Sequence, residues 1–283
     1  MKNLNILKYA FISILTLGVM TSCETTSSYE AELPSIANIA VTNSDFSALE
    51  AAAVAGGVAG VLSNSNPNDA SGAYTVFAPT NDAFARLGLN EQTLGVLQKP
   101  FLTNTLLYHV SNGSLTSNSI AAGDLSASAL GPNRRFINRG EDLFINGSKI
   151  LATDVNASNG TVHVIDKVMI ATGANVVESA IALSNANVFV NPELSFLVEA
   201  VVYAELGTAL SNPDANFTVF APTDQAFINL GTALGLTFTN PEDIRQLDKD
   251  LLASILLNHV FADFSADQFT SELNQASYDS LGE

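Results

Sequence analysis

The 283 residues include one cysteine, no tryptophan, three histidines, and eleven lysines and arginines against 28 aspartates and glutamates. One cysteine closes no disulfide within the chain, so each domain must be held by its apolar core, which is feasible at this size. With no tryptophan and six tyrosines, the usual stacking platform for sugar rings is poorly supplied. A net charge of −17 excludes the basic footprint of a nucleic-acid binder and any electrostatic hold on an anionic membrane. The acidity has two readings: solubility outside the cell, or a contact that depends on divalent cations. No Asp-x-Asp-x-Asp-Gly loop is present to support calcium.

Catalytic signatures are missing as well. There is no Gly-x-Ser-x-Gly elbow to expose a nucleophile. Gly56-Gly57 lies in a small-residue helical stretch, not after a strand, so it is no phosphate-binding loop. The adjacent acids Glu141-Asp142 and Glu242-Asp243 sit in loop or helix-start settings, where solvated carboxylates are expected. His109, His163 and His259 lack the third ligand and short spacing of a metal site, and fit a partly buried ring that ties backbone segments together. The expectation is no cofactor, no metal and no enzyme. A hydrolase of unrecognised type would have to show turnover lost on mutating one acid or histidine.

What is present is a repeat. Residues 75–87 read TVFAPTNDAFARL and residues 218–230 read TVFAPTDQAFINL, identical at nine of thirteen positions. Leu106-Leu107-Tyr108-His109-Val110 is echoed by Leu256-Leu257-Asn258-His259-Val260, and Leu62-Ser63-Asn64 by Leu210-Ser211-Asn212. A period of this length is domain size, so the chain reads as two tandem copies of one domain. The loop before Thr75 is the longer one, which makes part of 66–72 a surface insertion. In the second copy Leu281-Gly282 matches Leu130-Gly131, so about 40 residues of strand-rich sequence have no counterpart. Either the sequence is a piece of a longer one or something else completes the second domain.

The first 22 residues read as a signal. Lys2 and Lys8 precede a short apolar run over 9–19, too short to span a bilayer. Met20-Thr21-Ser22-Cys23 then resembles the lipobox of a bacterial lipoprotein, which implies lipidation of Cys23 and a membrane anchor without a spanning helix. The alternatives are an ordinary secretory signal with an incidental cysteine, or a core thiol. Residues 23–33 read as a polar tether. Loss of residues 1–22 would leave nine cations against 28 acids, a net −19.

Within one copy, Ser35 is placed to cap a short helix carrying Ile36 and Ile39, and 46–62 has helical spacing with Asp45 as its cap. Gly56, Gly57 and Gly60 weaken that helix and suggest close packing against a neighbour. Residues 74–78 form a strand ended by Pro79, and Thr80 caps a helix over 81–87. Two more short helices are predicted over 91–97 and 101–107, separated by Pro100, with a strand beginning at His109-Val110. The remainder to Ala171 is strand-rich, with Asn-Gly turns at 112, 146 and 159. Arg134, Arg135 and Arg139 form the one basic cluster and are placed in a loop between strands. Helices followed by strands make an α+β domain.

The phrase Thr-Val-Phe-Ala-Pro-Thr-Asn/Asp-x-Ala-Phe at 75–84 and 218–227, the x-His-Val ends at 108–110 and 258–260, and the Gly-x-Val-His-x-Ile-Asp-x-Val run at 160–168 resemble the signature boxes of the fasciclin family. The resemblance covers 34–172 as a whole domain and 174–283 as a partial one. It implies a β-sandwich or wedge of about seven strands with short helices packed at one end, in tandem. It also implies adhesion or binding, not catalysis. Thr75, Phe77, Pro79, Thr80, His163 and Asp166, and in the second copy Thr218, Phe220, Pro222, Thr223 and His259, are then structural motif residues. In animal members a Tyr-His near Tyr108-His109 is associated with integrin binding; this makes Tyr108 and His109 candidate partner contacts, with placement of the helix end as the alternative. The second copy has Asn258 instead. The expected partner is a protein or glycan at a cell surface or matrix, with capture of polysaccharide as the alternative role. The expected location is the outer membrane or cell surface.

Overall fold

A computed structural model describes residues 32–171, 175–185, 194–212, 214–262, 268–273 and 278–282. The signal segment, Cys23 and all but the end of the tether lie outside the described residues. In the first repeat α1 (Ile36–Thr42) starts behind Ser35, whose hydroxyl accepts the Asn38 N–H as the sequence predicts. The helix expected over 46–62 is broken into α2 (Ser47–Gly56) and α3 (Ala59–Leu62) by Gly57, which takes a left-handed φ of 75°. Asp45 is not the cap: its N–H is bound by Asn43, which caps the 3-10 turn Ser44–Phe46.

The strand β1 (Tyr74–Pro79) is buried along its whole length. It leads into α4 (Asn81–Ala85), capped by Thr80. A single 3-10 turn, Leu94–Val96, replaces the helix expected over 91–97. Pro100 lies inside the first turn of α5 (Lys99–Tyr108) instead of dividing two helices, because a first-turn residue needs no N–H. Then follow β2 (Val110–Asn112), β3 (Leu125–Ala127), β4 (Asn133–Arg139), β5 (Asp142–Ile145), β6 (Ser148–Ala157) and β7 (Gly160–Ile165).

These seven strands form one sheet in the order β2-β1-β7-β6-β5-β4-β3. β1 lies second from one edge, between β2 and β7. On one side Val76 faces Val110 of antiparallel β2, and on the other Tyr74 through Pro79 run parallel to Gly160 through Ile165 of β7. Irregular pairing between β6 and β7 bends the sheet at Asp154, whose φ is 58°. The sheet curls until its outer strands approach again, with Ser111 Oγ 3.0 Å from Ser126 Oγ and the Ala129 N–H on the Val110 carbonyl at 2.8 Å. The wedge is therefore a single curled sheet. Helices close one side over Leu49, Val76, Leu102, Leu106 and Val162, while Phe77, Phe136, Ile145 and Ile165 fill the curl. Gly56 allows α2 to touch α5: a Cβ there would lie 2.8 Å from Leu106 Cδ1. Burial of this kind contributes about 25 cal/mol per Å² of apolar surface and holds the domain without a disulfide.

The second repeat reuses the plan. It contains α6 (Val176–Asn185), α7 (Ser195–Tyr203), α8 (Gly207–Leu210), β8 (Thr218–Val219), α9 (Asp224–Ala233), α10 (Lys249–Leu257) and β9 (Val260–Phe261). Its core is Phe196, Leu197, Phe227, Ile244, Leu252 and Leu256. Glu242 and Asp243 do open a helical turn, with Asn240 and Asp243 forming a capping box. Val219 faces Val260 as Val76 faces Val110. The Leu281 N–H reaches the Val260 carbonyl at 2.9 Å, so Leu281 fills the place of Ala129, one residue from its sequence match with Leu130.

Candidate functional site

The signature residues converge on β1 and its neighbours. His109 ends α5, where its Nδ1 lies 2.7 Å from the Thr105 carbonyl and its Nε2 accepts the Met169 N–H at 2.9 Å. An amide can only donate, so Nε2 is bare and Nδ1 carries the proton to Thr105. Burial lowers the pKa from 6.5 to about 4, helped by the nearby Arg134 charge and opposed by the Thr105 carbonyl. His163 is held in the same manner between Leu115 and β6. Its Nε2 is 2.8 Å from the Leu115 carbonyl, its Nδ1 faces the Asp154 N–H at 3.4 Å, and its ring stacks on Phe77 with centroids 5.3 Å apart. Burial lowers its pKa too, with the Leu115 carbonyl and the Asp154 carboxylate opposing. Both rings are neutral clasps between distant backbone segments.

Arg134 is the residue that sequence reasoning misplaces. It belongs to β4, not to a loop, and its guanidinium is buried in the curl at 1% exposure. It donates to the Tyr108 carbonyl at 2.7 Å, to Ser111 Oγ, to Ser126 Oγ at 3.0 Å and to the Ala127 carbonyl at 3.1 Å, and it lies over the Phe77 ring. Burial draws its pKa down to about 10, so it remains charged at neutral pH, solvated by neutral oxygens. The signal was legible in period two: Arg134 lies two residues before Phe136 and so on the same buried face of β4. Arg135 points the other way and grips Glu272 of the second repeat with contacts of 2.7, 2.9 and 3.2 Å. Arg139 reaches the Thr270 carbonyl at 3.4 Å, and Ser271 Oγ donates to the Asn146 carbonyl at 2.9 Å. The basic cluster thus separates into one core cation and two contacts between repeats within the compact unit Leu33–Glu283.

Tyr108 and His109 face inward. The Tyr108 hydroxyl donates to the Asn133 carbonyl at 3.3 Å and accepts from Asn146 Nδ2 at 2.9 Å. Both residues are buried, with their polar atoms turned to groups of the fold. Asn258, at the place of Tyr108, is exposed.

The remaining box residues organise backbone. Thr75 Oγ1 donates to Gly113 and accepts the Leu115 N–H at 2.8 Å; Thr218 Oγ1 accepts the Gln268 N–H at 3.2 Å. Thr80 and Thr223 cap their helices through the Ala83 and Ala226 N–H groups, each at 3.3 Å. Asp166 accepts the Lys149 N–H at 2.6 Å and lies 3.8 Å from Arg86. Pro79 is buried as β1 ends.

Sequence reasoning overlooked the residue after each capping threonine. Asn81 Oδ1 accepts the Ala48 N–H at the start of α2, and Asp224 Oδ1 accepts the Phe196 N–H at the start of α7, both at 2.9 Å. Each is a remote N-cap for the helix before the strand. The one available signal was the recurrence of Asn or Asp in both boxes.

The two box strands differ in burial. Phe77 is fully buried, whereas Phe220 is 47% exposed, and Ala221 is exposed where Ala78 is buried. Among the described residues His259 keeps half of the clasp: its Nδ1 lies 2.8 Å from the Ile255 carbonyl. Its ring lines an apolar cavity of about 290 Å³ with Val219, Leu197, Val201, Leu256 and Val260. The corresponding cavity beside His109 in the first repeat measures about 170 Å³ and includes Val162 of β7. Among the described residues no group of three or more His, Cys, Asp or Glu side chains is placed to hold a metal ion. No described helix is long and apolar enough to cross a membrane.

A curled seven-stranded sheet with helices on one side in the first repeat, and the same helix, box strand and histidine arrangement around a two-stranded sheet in the second, is the architecture that the fasciclin boxes imply. The fasciclin domain family matches residues 44–171 and 192–281, and the chain belongs to that family. Protein sll1483 of Synechocystis is 39% identical over 137 residues, covering 48% of this chain and 72% of that protein. Transforming growth factor-beta-induced protein ig-h3 of Oryctolagus cuniculus is 30% identical over 183 residues, covering 62% of this chain and 25% of that protein. Human periostin is 28% identical over 186 residues, covering 62% and 21%.

Proposed function

We propose that this chain is a lipid-anchored adhesion protein of the cell envelope that holds a macromolecular partner through the surfaces of its fasciclin domains. The observation that carries the reading is where the box chemistry goes. His109, His163, Arg134 and Tyr108 turn their polar atoms to backbone and side chains of the fold, leaving binding to shape and surface patches. Similarity to periostin and ig-h3 supports the adhesion theme, and the Cys23 box supports the anchor and an outer-membrane or cell-surface location. A protein partner is favoured over a glycan. Phe220 is the one exposed aromatic among the described residues, while Val41, Val54, Val61 and Val202 offer exposed aliphatic surface.

The test is binding of the mature protein to immobilised matrix proteins, envelope proteins and glycans. Saturable binding to a protein supports adhesion. A saturable glycan hit alone replaces it with polysaccharide capture, and substrate turnover would place the protein among enzymes. Incorporation of labelled palmitate that is lost in Cys23→Ser tests the anchor; labelling that persists in this variant refutes it.

A further inference from the structure

Where the curled sheet of the first repeat nearly meets itself, between β2 and β3, it leaves a cleft of about 400 Å³, a size typical of small-molecule sites. Ser111 and Ser126 line it, each more than nine-tenths buried. Behind them the Arg134 guanidinium, which can only donate, gives hydrogen bonds to both hydroxyl oxygens. The two oxygens lie 3.0 Å apart, so one hydroxyl donates to the other. That accounts for one of their two protons. Among the described residues the second O–H has no acceptor, and no carboxylate pairs with Arg134. A buried donor without an acceptor and a buried cation without an anion thus meet at the floor of one cleft.

The rest of the lining selects what enters. Asp124, exposed at the mouth, has one carboxylate oxygen taken by the Ala121 N–H at 2.7 Å. Leu115, Ile120 and Phe136 make the wall apolar. A simple organic anion would be repelled by Asp124 and by the chain's net charge of −17. A zwitterion carries no net charge and answers both ends of the cleft. We propose that the cleft between β2 and β3 binds a free α-amino acid with an aliphatic side chain. Its carboxylate accepts the spare serine hydroxyl in front of Arg134, its ammonium donates to Asp124, and its side chain lies against Leu115, Ile120 and Phe136. The spacing fits. Asp124 and Ser126 are two apart along one strand, hence about 7 Å between their backbones. An ammonium and a carboxylate joined through one carbon span that gap with a hydrogen bond at each end. The site is separate from the adhesive surfaces and does not rest on them.

The experiment titrates the full chain with L-leucine, leucinamide and N-acetyl-leucine by calorimetry, and maps the leucine site by amide NMR shifts. The expected result is one saturable equivalent of leucine, with shifts centred on Ser111, Asp124 and Ser126. Each analogue lacks one charged hydrogen-bonding end and should bind about tenfold or more weaker. Asp124→Asn, which keeps an oxygen for the Ala121 N–H, should weaken leucine to the same degree but not N-acetyl-leucine. No saturable leucine binding, shifts centred elsewhere, analogues that bind as well as leucine, or leucine binding unchanged in Asp124→Asn overturns the proposal. Binding of N-acetyl-leucine tighter than that of leucine also overturns it, and identifies a simple carboxylate as the ligand instead.

Discussion

Met169 donates its backbone N–H to Nε2 of His109 at 2.9 Å, joining the chain just after β7 to the end of α5 across 60 residues of sequence. The bond exists only while the imidazole is neutral. Its folded pKa, about 4, lies below the ordinary 6.5, so the contribution is fully present above pH 6.5 and is lost as pH falls through 4. A shift of this size corresponds to about 3 kcal/mol. Urea midpoints of the wild type and His109→Gln should therefore differ more at pH 7 than at pH 4; a gap independent of pH would show that the ring is not held neutral.

His163→Ala removes a ring buried against Phe77 and leaves the Leu115 carbonyl unpaired. A loss of about 1–3 kcal/mol and several degrees of melting temperature is expected. An unchanged melting temperature together with lost partner binding would make His163 a contact residue.

Arg134→Leu should destabilise by about 2–4 kcal/mol, because it removes the donor to the Tyr108 and Ala127 carbonyls in the core and leaves Ser111 and Ser126 only each other. Arg134→Lys should recover only part of this, since an ammonium cannot span the same acceptors as a planar fork. Chemical denaturation measures both; equal stability of the leucine variant and wild type would contradict the role.

Asn81→Ala should cost about 1 kcal/mol by uncapping α2, and Asp224→Ala a similar amount at α7. Asn81→Asp should retain the cap, since the second repeat uses aspartate there. Hydrogen exchange at Ala48 and Phe196 localises the effect; acceleration elsewhere but not at those amides would refute the remote caps.

Arg135 and Glu272 form the charged link between repeats, each about a fifth exposed. A double-mutant cycle with Arg135→Ala and Glu272→Ala should give a coupling of about 0.5–1 kcal/mol that declines with added salt. Additive losses would mean that the repeats are not coupled there.

Read by itself, the sequence determined what depends on short spacing. Ser35, Thr80 and Thr223 cap helices because a hydroxyl reaches an N–H three residues on. The duplicated box announced two domains of one kind, and the strand over 74–78 followed from its β-branched and aromatic run. Tertiary structure decided what depends on distant partners. The parallel pairing of Tyr74 with Gly160, the Asn81 cap 33 residues from Ala48, and the inward turn of Arg134 each pair groups that no local pattern brings together. The same identical phrase Thr-Val-Phe-Ala-Pro is buried in one repeat and largely open in the other. A strand's burial is a property of its neighbours, and β7 lies beside only one of the two.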